Sequence, residues 1–272
     1  MNRYLLFRFP LEKGGIGDMI KYFISVIYLA KSNNLNPCII KEENVLSKYI
    51  ILKDSKMYKS TSFFKDFKHI NIKSIDKINK YLYANKNNND FCFVVSPNIF
   101  YDIPVYNILE KYNLNEIFYF SNDIIELAEK TIRTKEYISI HIRRGDKFID
   151  TESSFKCVLH DERPFNESRL YNLIENTYKN NKNIIFFCDS MSFKEKIRKK
   201  YPFLIMTNFN IGHTSYLNTN EEQFINTVCE FYLISRSTKI ISNCKSGFST
   251  VASKFNNIPI NYYETDIIPK RY

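Results

Sequence analysis

Tyr137-Ile-Ser-Ile140 is an apolar run that leads directly into His141-Ile-Arg-Arg-Gly-Asp-Lys147. The run reads as a buried strand and the polar residues as the loop into which it opens. That loop brings an imidazole, two guanidiniums and an ammonium within seven residues. Arginine presents a planar fork of donors that matches phosphate oxygens bidentately, and cations this close repel one another unless an anion neutralises them. The anion expected here is a diphosphate.

Outward from this stretch the chain alternates between strand and helix. Strands are expected at Tyr4 to Phe9, at Ile39-Ile40 after Pro37, at Ile50 to Leu52 and at Phe91 to Val95. Further strands are expected at Tyr137 to Ile142, Asn183 to Cys188, Thr238 to Ser242 and Ile258 to Tyr262. Helical periodicity marks Met19 to Lys31, Asn122 to Thr134, Ser168 to Asn180, Ser192 to Tyr201, Glu221 to Ser237 and Phe248 to Asn256. The Asn-rich stretch Lys80 to Asp90 reads as a polar loop. Strands separated by helices of this length imply an α/β protein with parallel sheets.

In such sheets ligands bind beyond the carboxyl ends of the strands. Three ends in the second half carry polar residues: His141 to Lys147, Asp189-Ser190, and Asn243-Cys244-Lys245-Ser246-Gly247. All three are expected on one edge of one sheet. Ser246-Gly247 opens a helix near Phe248, and a helix start with its free N–H groups suits phosphate. Gly14-Gly15-Ile16-Gly17 makes the same strand-to-helix passage near the N-terminus, where glycines allow close approach of the backbone. It lacks the Lys-Ser/Thr ending of a Walker loop and is not a full dinucleotide fingerprint.

Composition excludes several classes. The chain has 272 residues, enough for one large or two compact domains, with 44% hydrophobic and 25% charged residues. No stretch reaches the roughly 18–20 apolar residues of a membrane span. The N-terminal Arg3 to Pro10 is too short and too charged for a signal peptide, so a cytoplasmic location is expected. The six cysteines have no framework spacing, and Cys92, Cys188 and Cys244 sit in or beside apolar runs, as reduced core thiols do. Cys157 and His160 have no second ligand pair, which argues against zinc. The net charge of +10 leaves room for peripheral contact with an acidic membrane face, but the lysines are dispersed. No zinc-finger spacing, aromatic RNA-binding signature or recognition helix accompanies them, and the densest cluster, Lys194 to Lys200, reads as a solvated basic surface. Arg144-Gly145-Asp146 as an adhesion tripeptide would need a protruding extracellular loop.

His141-x-Arg143-Arg144-x-Asp146-Lys147 resembles the first motif of the GDP-fucose-dependent α1,2-, α1,6- and protein O-fucosyltransferases. Lys147-Phe-Ile-Asp-Thr151-Glu152-Ser-Ser-Phe155 resembles the α1,6 branch, with one extra residue. Phe187-Cys188-Asp189-Ser190, followed by Phe193-Lys-Glu-Lys and Lys200-Tyr201-Pro202, resembles the second motif. Glu230 to Ser235 through Ser242 to Ala252 resembles the third, and the Gly14 to Gly17 loop resembles the glycine loop of the family's N-terminal domain.

The resemblance implies a GT-B architecture: two Rossmann-like domains facing across a cleft, here residues 1–134 on the acceptor side and 135–272 on the nucleotide-sugar side. It implies inverting, metal-independent transfer of fucose from GDP-fucose to a glycan or glycoconjugate hydroxyl, with no cofactor. Arg143 would bind the β-phosphate, Glu152 would be the general base, and Lys147 its relay. His141, Asp189, Glu230, Ser246, Gly247, Phe248, Gly14, Gly15 and Gly17 would bind the donor. Arg144 is counted with them, although Arg144 and Asp146 are expected chiefly to support the loop. Glu230 stands where the family has a guanine-contacting Asp, and Ser190 where it has a second Asp. The glycine loop also resembles heptosyltransferases, which use an ADP-sugar on the same fold. A non-catalytic nucleotide- or glycan-binding relative and a basic nucleic-acid-binding protein are the other readings, the last marked by steep salt dependence.

Overall fold

The computed structural model describes residues 2–8, 14–42, 45–84, 90–95, 99–100, 103–149, 162–163, 165–214 and 219–263. Two compact units share the chain. Residues 1–13 and 18–121 form the first, and residues 14–17 and 122–272 the second.

The first unit is built on a parallel sheet. Its strands are β1 (Asn2–Phe7), β2 (Asn36–Ile40), β4 (Tyr58–Lys59), β5 (Lys68–Ile72) and β6 (Asp90–Val95), in the order β4-β2-β1-β6-β5. β3 (Ile50–Leu52) pairs antiparallel with β7 (Phe118–Phe120). Alternation along β1 buries both of its faces. Phe7 meets Phe23 of helix α1 (Ile16–Ser32), with ring centroids 5.7 Å apart, while Leu6 packs with Cys38, Cys92 and Phe64. Lys80 to Ala84, read from sequence as loop, instead completes helix α2 (Ile75–Ala84). Ile75, Ile78, Tyr81 and Leu82 give it a one-sided stripe, with Ile78 fully buried, which the surrounding Lys and Asn residues obscure. The rest of that expected loop, up to residue 89, lies outside the described residues. Two short helices, α3 (Val105–Leu109) and α4 (Leu114–Ile117), lead to β7.

The second unit holds a four-stranded parallel sheet of β8 (Ile138–Ile142), β9 (Ile184–Cys188), β10 (Lys239–Ser242) and β11 (Ile260–Tyr262), in the order β11-β10-β8-β9. Every residue of β8 and β9 is buried, as a parallel sheet covered on both faces requires. Helices α6 (Glu167–Asn180) and α7 (Met191–Lys200) place Leu170, Ile174, Phe193 and Ile197 against Ile140, Ile142 and Phe186. Each start is capped: Asn166 Oδ1 accepts from Arg169 N at 3.0 Å, and Ser190 Oγ from Phe193 N at 3.3 Å. Asn220 and Gln223 form a capping box on helix α8 (Glu221–Ser235). Helix α9 (Gly247–Ser253) also packs on α8.

Helix α5 (Asn122–Thr131) packs on α8 and therefore belongs to the second unit, so the boundary falls at 121/122 and not at 134/135. Cys38, Cys92, Cys188 and Cys229 are buried free thiols, whereas Cys244 is only half-buried, at the end of β10. Among the described residues no helix is long and apolar enough to cross a membrane.

Candidate functional site

The chain passes from β8 to β9 on one side and returns with β10 on the other, so the strand order reverses between β8 and β10. Ligands of parallel α/β sheets bind at such a crevice, beyond the carboxyl ends of the strands. His141 pairs in register with Ser242 there, and Arg143 and Asn243 follow. Asn243 fastens the two ends together. Its Oδ1 accepts from Arg143 N at 2.9 Å, and its Nδ2 donates to Arg143 O at 3.0 Å.

Asp189, at the end of β9, shapes the motif loop. Its Oδ1 accepts from Arg144 N at 2.8 Å, and its Oδ2 from Gly145 N at 2.9 Å and from Arg143 Nη1 at 2.7 Å. Gly145 has φ 114°, a conformation that a side chain would strain. Arg143 Nη2 donates to Asp146 Oδ1. The carboxylate expected to bind donor is thus occupied by the chain's own donors and holds the arginine in place. Ser190, in place of a second carboxylate, is the cap of α7.

The adjacent arginines part company. The Arg144 guanidinium lies over Phe148 at 4.0 Å, Phe193 at 5.2 Å and Phe165 at 5.9 Å. Cation–π contact with these three rings anchors Arg144 within the loop.

His141 is buried and stacks on Phe248, with ring centroids 5.5 Å apart. Burial, and then the charges of Arg143 and Arg163, push its pKa down to about 3, so the ring is neutral at pH 7. Its Nδ1 has no hydrogen-bond partner among the described residues. Ser246 caps α9, its Oγ accepting from Phe248 N at 3.3 Å. The glycine loop packs against this start: a Cβ on Gly17 would lie 2.2 Å from the Gly247 carbonyl oxygen. Gly14 has φ 79°, and Gly15 lies against the ring of His213. The second unit therefore gathers His141, Arg143, Ser246, Gly247, Phe248, Gly14, Gly15 and Gly17.

Other candidates lie elsewhere. Glu230 is 2% exposed, and its Oε1 accepts from Lys194 Nζ at 2.8 Å and from Thr207 Oγ1. Lys194, read from sequence as part of a solvated surface, is fully buried and also reaches Thr207 Oγ1 and Phe209 O. The carboxylate expected to meet guanine thus forms a core ion pair. Glu152 lies outside the described residues. Lys147 pairs with Glu162 at 2.6 Å, both exposed. Two residues at the site have no signal in the motif. His213 Nε2 is 3.8 Å from Asp146 Oδ2, and Arg163 is fixed to the loop by its N–H on Arg144 O at 2.6 Å.

Two Rossmann-like units of parallel sheet, the second with its polar residues at the strand-order reversal, define an α/β protein of GT-B type. Solved structures with a similar fold include fucosyltransferases. POFUT1 superposes with a TM-score of 0.60 at 13% identity, over 96% of this chain and 97% of that one, and it has been solved in complex with GDP-fucose. NodZ from Bradyrhizobium gives 0.59 at 11%, over 97% and 96%. Arabidopsis thaliana FUT1, solved as a mutant in complex with GDP, gives 0.57 at 12%, over 96% and 70%. At these identities the likeness is one of fold. No family model matches the chain. No curated protein matches it in sequence.

Proposed function

We propose that the protein is a cytoplasmic, inverting, metal-independent fucosyltransferase that moves fucose from GDP-fucose to a glycan or glycoconjugate hydroxyl. The observation that carries the reading is Arg143, fixed by Asp189 and Asp146 at the crevice between β8 and β10 in a fold shared with fucosyltransferases. The second unit would hold the nucleotide and the first the acceptor.

In this reading the acceptor oxygen attacks the anomeric carbon as the bond to the β-phosphate oxygen breaks. The electron pair leaves on the diphosphate, and the acceptor proton passes to Glu152, for which Lys147 would act as relay. Arg143 stabilises the departing charge, which a preorganised donor does best because it needs no reorganisation. Neutral His141 would offer a ring nitrogen to the nucleotide, and Ser246 a hydroxyl to the diphosphate.

Titration calorimetry of GDP, ADP and UDP with EDTA present, followed by a transfer assay, tests the proposal. GDP binding that is lost in Arg143→Ala supports it, and Arg143→Lys should cut turnover on the order of a hundredfold or more, since a lysine lacks the fork. The Glu230–Lys194 pair favours one alternative to be tested alongside, because it engages the expected guanine acceptor in the core. Binding of ADP in preference to GDP would point to a heptosyltransferase-like donor. Retained GDP binding without transfer would point to a non-catalytic relative.

A further inference from the structure

The first unit contains a half-enclosed apolar cavity, with about 360 Å³ of empty space counted to its open side. Phe7 and Ile39, paired in register near the ends of β1 and β2, contribute to it. So do Ile20 and Phe23, from the first two turns of α1, the helix that follows β1. Leu46, on the 3-10 turn Val45–Lys48, and Ile50 of β3 also line it. All six side chains are buried, yet they do not close on one another. Such a space costs stability, because atoms that face it lack partners for dispersion contact.

Two features set the cavity apart from a fault of packing. It lies at the carboxyl end of a parallel sheet, where α/β folds bind their ligands. The hydroxyls among its lining side chains are also engaged. Ser47 Oγ donates to Lys41 O at 3.2 Å, and Tyr58 OH accepts from Leu52 N at 3.0 Å. A water there would need roughly two to four polar partners, and each of these hydroxyls is already tied to the backbone. A hydrocarbon group needs none.

We propose that this cavity binds an apolar group, a short alkyl chain or a single aromatic ring, carried by the molecule that the first unit receives. An inserted chain or ring leaves water and regains the dispersion contacts that the lining lacks, without breaking a hydrogen bond. A sugar has too many hydroxyls for these walls, so the glycan part of an acceptor would stay outside while its apolar substituent enters. The apolar class of the ligand follows from the cavity alone. Only its assignment to an acceptor rests on the function proposed above.

The test is methyl NMR of the purified full chain, titrated with benzene, with n-hexyl β-D-glucopyranoside and with glucose as the polar control. Both apolar probes should shift the methyl signals of Ile20, Leu46 and Ile50 saturably, and glucose should not. Leu46→Phe and Ile50→Phe put a ring into the same space. Each should lower the affinity for both probes by about tenfold or more, while melting no lower than wild type, as cavity-filling changes do. If a filling variant does not fold, the wild-type shifts decide alone. Absence of saturable shifts at these methyls would overturn the proposal, and so would unchanged probe affinity in a folded variant. Benzene binding without hexyl glucoside binding would also overturn it, since a group carried by a glycan must enter with its sugar outside. GDP titration of the same protein keeps the two readings apart. Binding of both apolar probes without GDP binding would uphold the apolar site and sink its assignment to a fucosyl acceptor.

Discussion

Asp189 Oδ2 lies 2.7 Å from Nη1 of Arg143 and 2.9 Å from the backbone nitrogen of Gly145. One carboxylate thus fixes both a guanidinium and the turn of the chain that carries it. Asp189→Ala would leave a largely buried guanidinium with one carboxylate fewer and two backbone N–H groups without their acceptor. Breaking a buried pair by removing one partner costs about 3–5 kcal/mol. The melting temperature should therefore fall by roughly 6 °C or more, at the 2–4 °C per kcal/mol of a chain this size. A melt within a degree or two of wild type would mean that the loop is held by something else.

His141 makes the stability of the second unit depend on pH. Its folded pKa, about 3, lies below its ordinary value of 6.5. Between these limits the unfolded chain binds a proton that the native imidazole refuses, so stability falls as pH falls through the window and is unaffected above it. The shift corresponds to a loss on the order of 4 kcal/mol at the acid end. His141→Phe keeps an aromatic ring against Phe248 and does not titrate. Urea unfolding at several pH values should show wild type losing stability relative to the variant between pH 6.5 and 3. A constant difference would contradict the buried, neutral assignment.

The glycine loop yields a paired comparison. A Cβ on Gly17 meets Gly247 O at 2.2 Å and Gly247 C at 2.4 Å, and backbone cannot swing aside as a side-chain tip can. The nearest atoms to a Cβ on Gly15 belong to the His213 ring, the first at 3.4 Å. Gly17→Ala should cost roughly 1–3 kcal/mol or more, as overpacking does. Gly15→Ala should stay within about 0.5 kcal/mol. Thermal melts of the two variants decide it, and equal costs would mean that the Gly17–Gly247 approach is not a constraint.

The parts of this architecture that sequence reveals are those written in local pattern. β9 is an unbroken apolar run, β8 departs from one only at Ser139 and His141, and both lead into polar residues, which is how a strand buried on both faces reads. β5 and α2 were hidden because each buries few residues, Ile72 and Ile78 among them, amid Lys and Asn. At the site, the motif marked Arg143 and His141, but what the neighbours do is a matter of packing. Nothing in the motif shows that the Arg144 guanidinium lies over three phenylalanines from separate segments. Lys194 sits in a run of lysines that resembles any solvated helix face, and its partner Glu230 is 36 residues away in sequence. Arg163 and His213 belong to no pattern, and only the fold brings them to the motif loop.

The Lys194–Glu230 pair separates a structural role from a ligand-reading one. Both groups are essentially withdrawn from solvent, at 0% and 2% side-chain exposure. Lys194→Met alone should cost about 3–5 kcal/mol, because it strands a buried carboxylate. The double variant Lys194→Met/Glu230→Leu should recover much of that loss, since well-packed apolar residues often replace a buried pair without penalty. If the pair serves only the core, the double variant keeps wild-type affinity for GDP. If Glu230 turns toward a bound base, both Glu230→Leu and the double variant lose guanine selectivity although the fold is sound. Urea titration and nucleotide titration of the same three proteins read the two roles independently. Recovered stability with unchanged GDP affinity would assign Glu230 to the core and leave the recognition of the base to other residues of the second unit.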